Sequence, residues 1–169
     1  MVTYWTIQTM DKWKVVQNVG YLTGNAEFIW EEFVEPYKWM MAQMGNRLSN
    51  YVGEYLTWLW TERPDLRRSG HLAKGEQGVL IKVEIDDEDV LLSDFQAWHI
   101  VLNYDYMSLN VDEVDQDYSD EEIRKSWELI FELEKLKDSE GWGGLLHLQG
   151  VTGEIRASQM KIVKTFIAR

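Results

Sequence analysis

A chain of 169 residues with 45% hydrophobic content is long enough to bury a core, and nine Trp, eight Tyr and five Phe exclude a disordered chain. It carries a formal net charge of -12 and no cysteine, which excludes disulfides and thiolate metal sites. No apolar run approaches the ~18 residues of a membrane-spanning helix, and the first residues lack a signal peptide's basic and apolar regions. A soluble cytoplasmic protein without a membrane partner is therefore expected.

In chain order, Thr3 to Gln8 alternates as a strand does, and Thr9 caps a helix that Gly20 stops near Val19. A second helix is expected from about Pro36, its apolar stripe being Tyr37, Met40, Met41, Met44 and Leu48, with the methionines as core filler. Tyr55 to Thr61 reads as a strand with Trp58 and Trp60 on one face. A basic loop, Pro64 to His71, separates it from a strand at Gly78 to Ile85. Asp86 to Asp89 is an acidic turn. Ser93 or Asp94 caps a helix from Phe95 to Asn103, and 104–118 is a polar surface excursion. Ser119 to Glu122 has the form of a capping box, which predicts one helix from there to about Lys137. Gly141 to Gly144 breaks the chain, and Leu145 to Ile155 and Lys161 to Ala168 read as closing strands around a turn at 157–159. The expected fold is a single α+β domain over 1–169, with a mostly antiparallel sheet and about four helices.

Charge is unevenly spread. Fourteen acidic residues and no Lys or Arg lie between Glu84 and Glu122, against fifteen acids and seventeen bases elsewhere. Such a segment disfavours direct nucleic acid binding and suits either solvent or a basic protein partner.

Three constellations are candidates for chemistry. In the basic loop, Arg67, Arg68 and His71 supply forked donors for a phosphate or carboxylate, with Trp58 or Trp60 available to stack on a ring. The competing reading pairs an Arg with the acidic segment. On the helix after Asp94, His99 titrates near neutrality and stands as a ligand contact or proton shuttle, or as a satisfied packing histidine. Near the end, Gln149 and Glu154 flank a strand weakened by Gly150 and Gly153, with Glu154 a candidate acid–base carboxylate or a surface residue. Phosphate-binding glycine loops, dinucleotide fingerprints and nucleophile elbows are missing. The dispersed His71, His99 and His147 do not form a zinc motif, and Asp112 to Asp117 lacks the glycine and glutamate of an EF-hand loop. No cofactor is named by any of these patterns.

Trp5-Thr6-Ile7-Gln8, Pro64 to His71, Val90 to Asn103 (LLSDFxxWHxVLN) and Gln149 to Ile155 together resemble the bacterial family catalogued as domain of unknown function 3841. The resemblance spans nearly the whole chain and implies one domain, with no particular activity. Gly153 departs from it, standing where an aromatic residue is expected before the glutamate. The order of parts is also similar to ADP-ribosyltransferase-type folds, which implies a ribose-stabilising role for Glu154. The first strand then offers only Thr6 and Gln8 where a dinucleotide-holding His or Arg is expected, so Arg67 or His71 has to substitute.

These readings converge on two functions. The first is binding of an anionic, nucleotide-like small molecule by Arg67, Arg68, His71, Trp58 and Trp60, with Asp94 and Gln149 as further contacts. If a reaction follows, it is transfer chemistry served by Glu154 and His99. The second is a non-catalytic, host- or phage-encoded interaction or inhibitor protein that presents 84–122 to a basic partner.

Overall fold

The computed structural model describes residues 1–51, 55–113 and 115–169, apart from the side chains of Phe28 and Val111. Val114, within the segment considered for cation binding, lies outside the described residues. The fold is α+β, as the sequence predicts. Its strands are β1 (Val2–Thr9), β2 (Tyr21–Leu22), β3 (Thr57–Trp60), β4 (Gln77–Ile85), β5 (Leu91–Asp94), β6 (Leu148–Thr152), β7 (Ile155–Arg156) and β8 (Met160–Ile167). The α-helices are α1 (Met10–Val19), α2 (Val34–Arg47), α3 (Phe95–Leu102), α4 (Asp120–Ser126) and α5 (Leu133–Asp138). One six-stranded sheet has the order β5-β6-β3-β1-β4-β8, and β2 pairs with β7 in a two-stranded ribbon.

The chain is organised as two compact units: 1–29, 41–91 and 150–169 form the first, and 30–40 and 92–149 form the second. In the first, β1 pairs antiparallel with β4 along its whole length. Alternation then fixes two faces. Val79, Ile81, Val83 and Ile85 of β4 are buried on one, with Tyr4 and Thr6 of β1 beside them. Thr9 caps α1 by accepting the Lys12 amide at 3.1 Å, and Gly20 ends it at a φ of 89° that favours glycine.

The second unit is built on aromatic packing. Trp39 stacks on Phe131 at 5.7 Å and meets Trp127 edge-on at 5.5 Å, while Tyr37 meets Trp98 at 5.6 Å. Met40 and Met107 are fully buried, as core filler should be.

Three of the elements read from the sequence differ, and the short strands β2 and β5 were not among those read. The helix after Ser119 does not run through to Lys137: it gives way to a 3-10 stretch at Trp127–Phe131 and restarts as α5. Ser126 turns its hydroxyl onto Ile123 O and accepts the Met107 amide at 2.8 Å, while Trp127 Nε1 donates to Asp105 O at 2.8 Å. These tertiary bonds override the helical periodicity. The strand expected over Leu145 to Ile155 is cut at Gly153 and Glu154, so β7 leaves the large sheet for β2. Helix α2 begins two residues before Pro36, which sits in its first turn.

Candidate functional site

The site that the first unit offers is a basic and aromatic sheet face. Trp5 stands opposite Trp60 on β3 and Lys82 on β4, and Lys82 stands opposite Lys161 on β8. Residues directly opposite in antiparallel strands share a face, so Trp60, Trp5, Lys82 and Lys161 form one row across four strands. In the row beside it Ile7 stands opposite Leu80 and Leu80 opposite Lys164, and Trp58 shares the face of Trp60 by alternation along β3. The three tryptophans are half-buried, and Lys161 and Lys164 are exposed.

The loop that follows β3 reaches this face through Arg63 and Leu72. The Arg63 guanidinium sits 5.5 Å from the centre of the Trp5 ring, a cation–π contact. Leu72 and Phe166 fill the space above Gly78, where a Cβ would meet both at 2.7 Å. Gly75 N donates to Ala168 O at 2.9 Å, and Ala168 N to Glu76 O at 2.8 Å, which fastens the end of the segment to the tail of β8.

Within the loop, Arg67 is already engaged. Its Nε and Nη2 each donate to the Asp65 carboxylate at 2.9 Å, and its backbone N–H donates to the same group at 3.0 Å. Those bonds hold the Asp65 carboxyl well below the usual carboxylate range, the Arg67 side chain contributing most and its amide next. His71 Nε2 donates to Asp65 O at 2.8 Å, so the histidine braces the same turn. Arg68 is exposed and has no side-chain ion pair among the described residues. The expected rival, a pair between the loop and the acidic segment, is replaced by a pair inside the loop. On the sheet, Lys82 donates to Glu84 at 2.7 Å, and that bond lowers the Glu84 carboxyl.

Each of the remaining sequence candidates has surroundings of its own. Asp94 is 1% exposed: Oδ1 accepts the Ala97 amide and Oδ2 the His147 amide, both at 2.9 Å. It caps α3 and pins it to the start of the closing strand, leaving neither oxygen uncommitted. Gln149 is buried beside Ser93, at 3.5 Å from its hydroxyl. His99 is an exposed residue whose Nδ1 donates to Phe95 O at 2.8 Å, and its ring tilts against Phe95 at 4.5 Å. Glu154 is exposed between β6 and β7. Glu154 and the basic loop belong to the first unit, whereas Asp94, His99 and Gln149 belong to the second. The sequence reading omitted Trp5, Arg63, Lys82 and Lys161. A lysine and a glutamate on one face of an otherwise apolar β4 were the legible signal.

Among the described residues no cluster of His, Asp and Glu is arranged to hold a metal ion, and no helix is long and apolar enough to cross a membrane. The two units divide the charge sharply. The first holds twelve acids and twelve bases, and the second holds seventeen acids against five bases.

Fold and site together describe an α+β protein with a cationic, aromatic sheet face in one unit and all of the net negative charge in the other. The chain belongs to the family described as Domain of unknown function (DUF3841), whose model matches residues 3–121. No curated protein and no solved structure matches the chain. The likeness to ADP-ribosyltransferases therefore gains no support from these comparisons.

Proposed function

We propose that the protein binds an anionic, nucleotide-like small molecule on the basic and aromatic face of its first unit. The observation that carries this reading is the row Trp60, Trp5, Lys82 and Lys161, with Arg63 against Trp5. It sets flat rings for a base beside cations for a phosphate. Arg68, Arg63 and Lys161 are the anion-holding groups, Lys82 being paired with Glu84. Arg67 and His71 shape the loop rather than grip the ligand, because Asp65 engages both. Calorimetric titration with nucleoside mono-, di- and triphosphates tests the reading. Binding that weakens tenfold or more in Arg68→Ala/Lys161→Gln, with little change in Arg67→Ala, is expected. No binding by the unaltered protein, or equal binding by the double variant, refutes it.

A second reading rests on the division of charge. The second unit, with seventeen acids and five bases, suits a basic protein partner, the role of a non-catalytic interaction or inhibitor protein. Its mark is association that weakens steeply with salt and is lost when Asp112, Asp115 and Asp117 are changed to Asn. Association insensitive to both rules it out.

A further inference from the structure

β8 carries an irregularity in its pairing with β4. Lys161 stands opposite Lys82 and Ile162 opposite Ile81, but Lys164, not Val163, stands opposite Leu80. Val163 is thus an extra residue, a β-bulge in an otherwise continuous antiparallel pairing. In a regular strand two residues three apart point to opposite faces. Here the extra residue turns Lys164 back, so that it shares the face of Leu80 as Lys161 shares that of Lys82. Leu80 and Lys82 are two residues apart on β4, which sets the two lysines about 7 Å apart on one face. It is the face of Trp5 and Trp60.

Packing does not call for this arrangement, because both lysines and Val163 are exposed. A bulge and lysines also guard a sheet edge against pairing, but that role is indifferent to which face the lysines take.

The surroundings leave the pair uncommitted. Residues 155–169 contain Arg156, Lys161, Lys164 and Arg169 and no acid. The acid that β4 places on this face is Glu84, which Lys82 holds at 2.7 Å. Neither Lys161 nor Lys164 has an ion pair among the described residues. Two ammonium groups so placed repel each other, and an anion between them relieves that repulsion.

The pair also lies at a set distance from the rings. From Trp5 the row crosses β4 to reach Lys161, two strand spacings or about 10 Å away. Lys82, which stands between, is spent on Glu84. A ligand with its base at the tryptophans must therefore carry charge beyond its first phosphate to meet free cations.

We infer that Lys161 and Lys164 bracket the terminal phosphate of a nucleoside di- or triphosphate, so that this face selects polyphosphates over monophosphates. This rests on the nucleotide reading for the base, whereas the lysine pair alone holds any short polyphosphate.

Calorimetry at one salt concentration, with adenosine mono-, di- and triphosphate and inorganic tripolyphosphate, tests it. The triphosphate is expected to bind at least about tenfold more tightly than the monophosphate. Lys164→Gln should weaken triphosphate and tripolyphosphate binding about tenfold and monophosphate binding by less than about twofold, and Lys164→Arg should keep most of the affinity. Lys164→Gln/Thr165→Lys restores the net charge but sets the cation on the face of Val79, and should bind as weakly as Lys164→Gln. Equal affinity for mono- and triphosphate, or binding restored in the double variant, overturns the lysine pair and leaves the nucleotide reading standing. Tripolyphosphate binding that depends on Lys164, with no nucleotide bound more tightly, retires the nucleotide reading and keeps the pair. No binding of any of the four refutes both.

Discussion

The Asp65 carboxylate holds Arg67 by two side-chain bonds of 2.9 Å and one amide bond of 3.0 Å. A cation two residues from its partner is thus spent on the shape of the turn, and His71 closes that turn onto Asp65 O. Replacing Asp65 by Asn removes the charge while leaving one acceptor. Expected is a loop whose Arg67 side chain becomes free for an added anion. Phosphate titration followed by NMR should show Arg67 shifts in Asp65→Asn and none in the unaltered protein. Arg67 shifts of equal size in both would show that the pair does not hold in solution.

The same pair predicts a pH dependence. Asp65 has a folded pKa depressed below its unfolded value of about 4. What the pair contributes is therefore fully present above that value and is lost only as pH falls through the lower, folded one. Because both groups are solvent-exposed, a small effect on global stability is expected. The loop should keep its form as ordinary carboxylates protonate. Carbon-detected titration of the Asp65 carboxyl checks this; a midpoint in the ordinary aspartate range contradicts it.

Asp94 was a candidate ligand contact, and the structure gives it a different task. Removing its carboxylate deprives α3 of its cap, which costs about 1 kcal/mol. It also leaves the His147 amide without its acceptor, at about 1–3 kcal/mol. Asp94→Ala should lose about 2–4 kcal/mol of stability in urea unfolding. Asp94→Asn, which keeps one acceptor, should lose clearly less. Equal losses would mean that charge, not the two-amide clamp, is what matters.

How much of this was legible follows from where the signals are local. Thr9 and Gly20 bracket α1 because capping and left-handed φ values are properties of single residues. Val79 to Ile85 announces a buried strand by its own composition. The end of α3 was legible only roughly. Tyr104 takes a φ of 62°, where glycine is usual. Its amide donates to Val101 O and that of Asp105 to Ile100 O, both at 3.0 Å. The Tyr104 ring meets Trp127 at 5.0 Å, and its phenol accepts from Arg124 Nε at 3.0 Å. Those partners lie some twenty residues away, so no local pattern could reveal them. The same holds for the candidate site. Trp5, Lys82 and Lys161 become neighbours only through strand register, whereas the basic loop stood out because its cations are adjacent in sequence.

Tyr104 yields a prediction of its own. Changing it to Gly relieves a left-handed conformation worth about 1–2 kcal/mol but removes a ring that packs on the fully buried Trp127. Ring loss, at about 2–3 kcal/mol, should outweigh the relief, leaving Tyr104→Gly less stable by about 1 kcal/mol. Tyr104→Phe keeps the ring and gives up only the bond from Arg124, so a change within about 1 kcal/mol is expected. A Tyr104→Gly variant more stable than the unaltered protein would show that strain dominates at this helix end.

Two glycines discriminate between a yielding and an unyielding neighbour. At Gly78 an added methyl group meets the ends of Leu72 and Phe166, side chains that can turn aside. The segment carrying Leu72 also carries Arg63 over Trp5, so the displacement should reach the aromatic face. At Gly24 the methyl group runs into the Leu56 carbonyl oxygen, a backbone atom one residue before β3, and nothing there can rotate away. Overpacking of a close-packed region costs about 1–3 kcal/mol. Gly78→Ala should fall near the lower figure and Gly24→Ala at or beyond the upper one, as read by urea unfolding. Near-equal losses would mean that the strand end at Leu56 moves as easily as the loop.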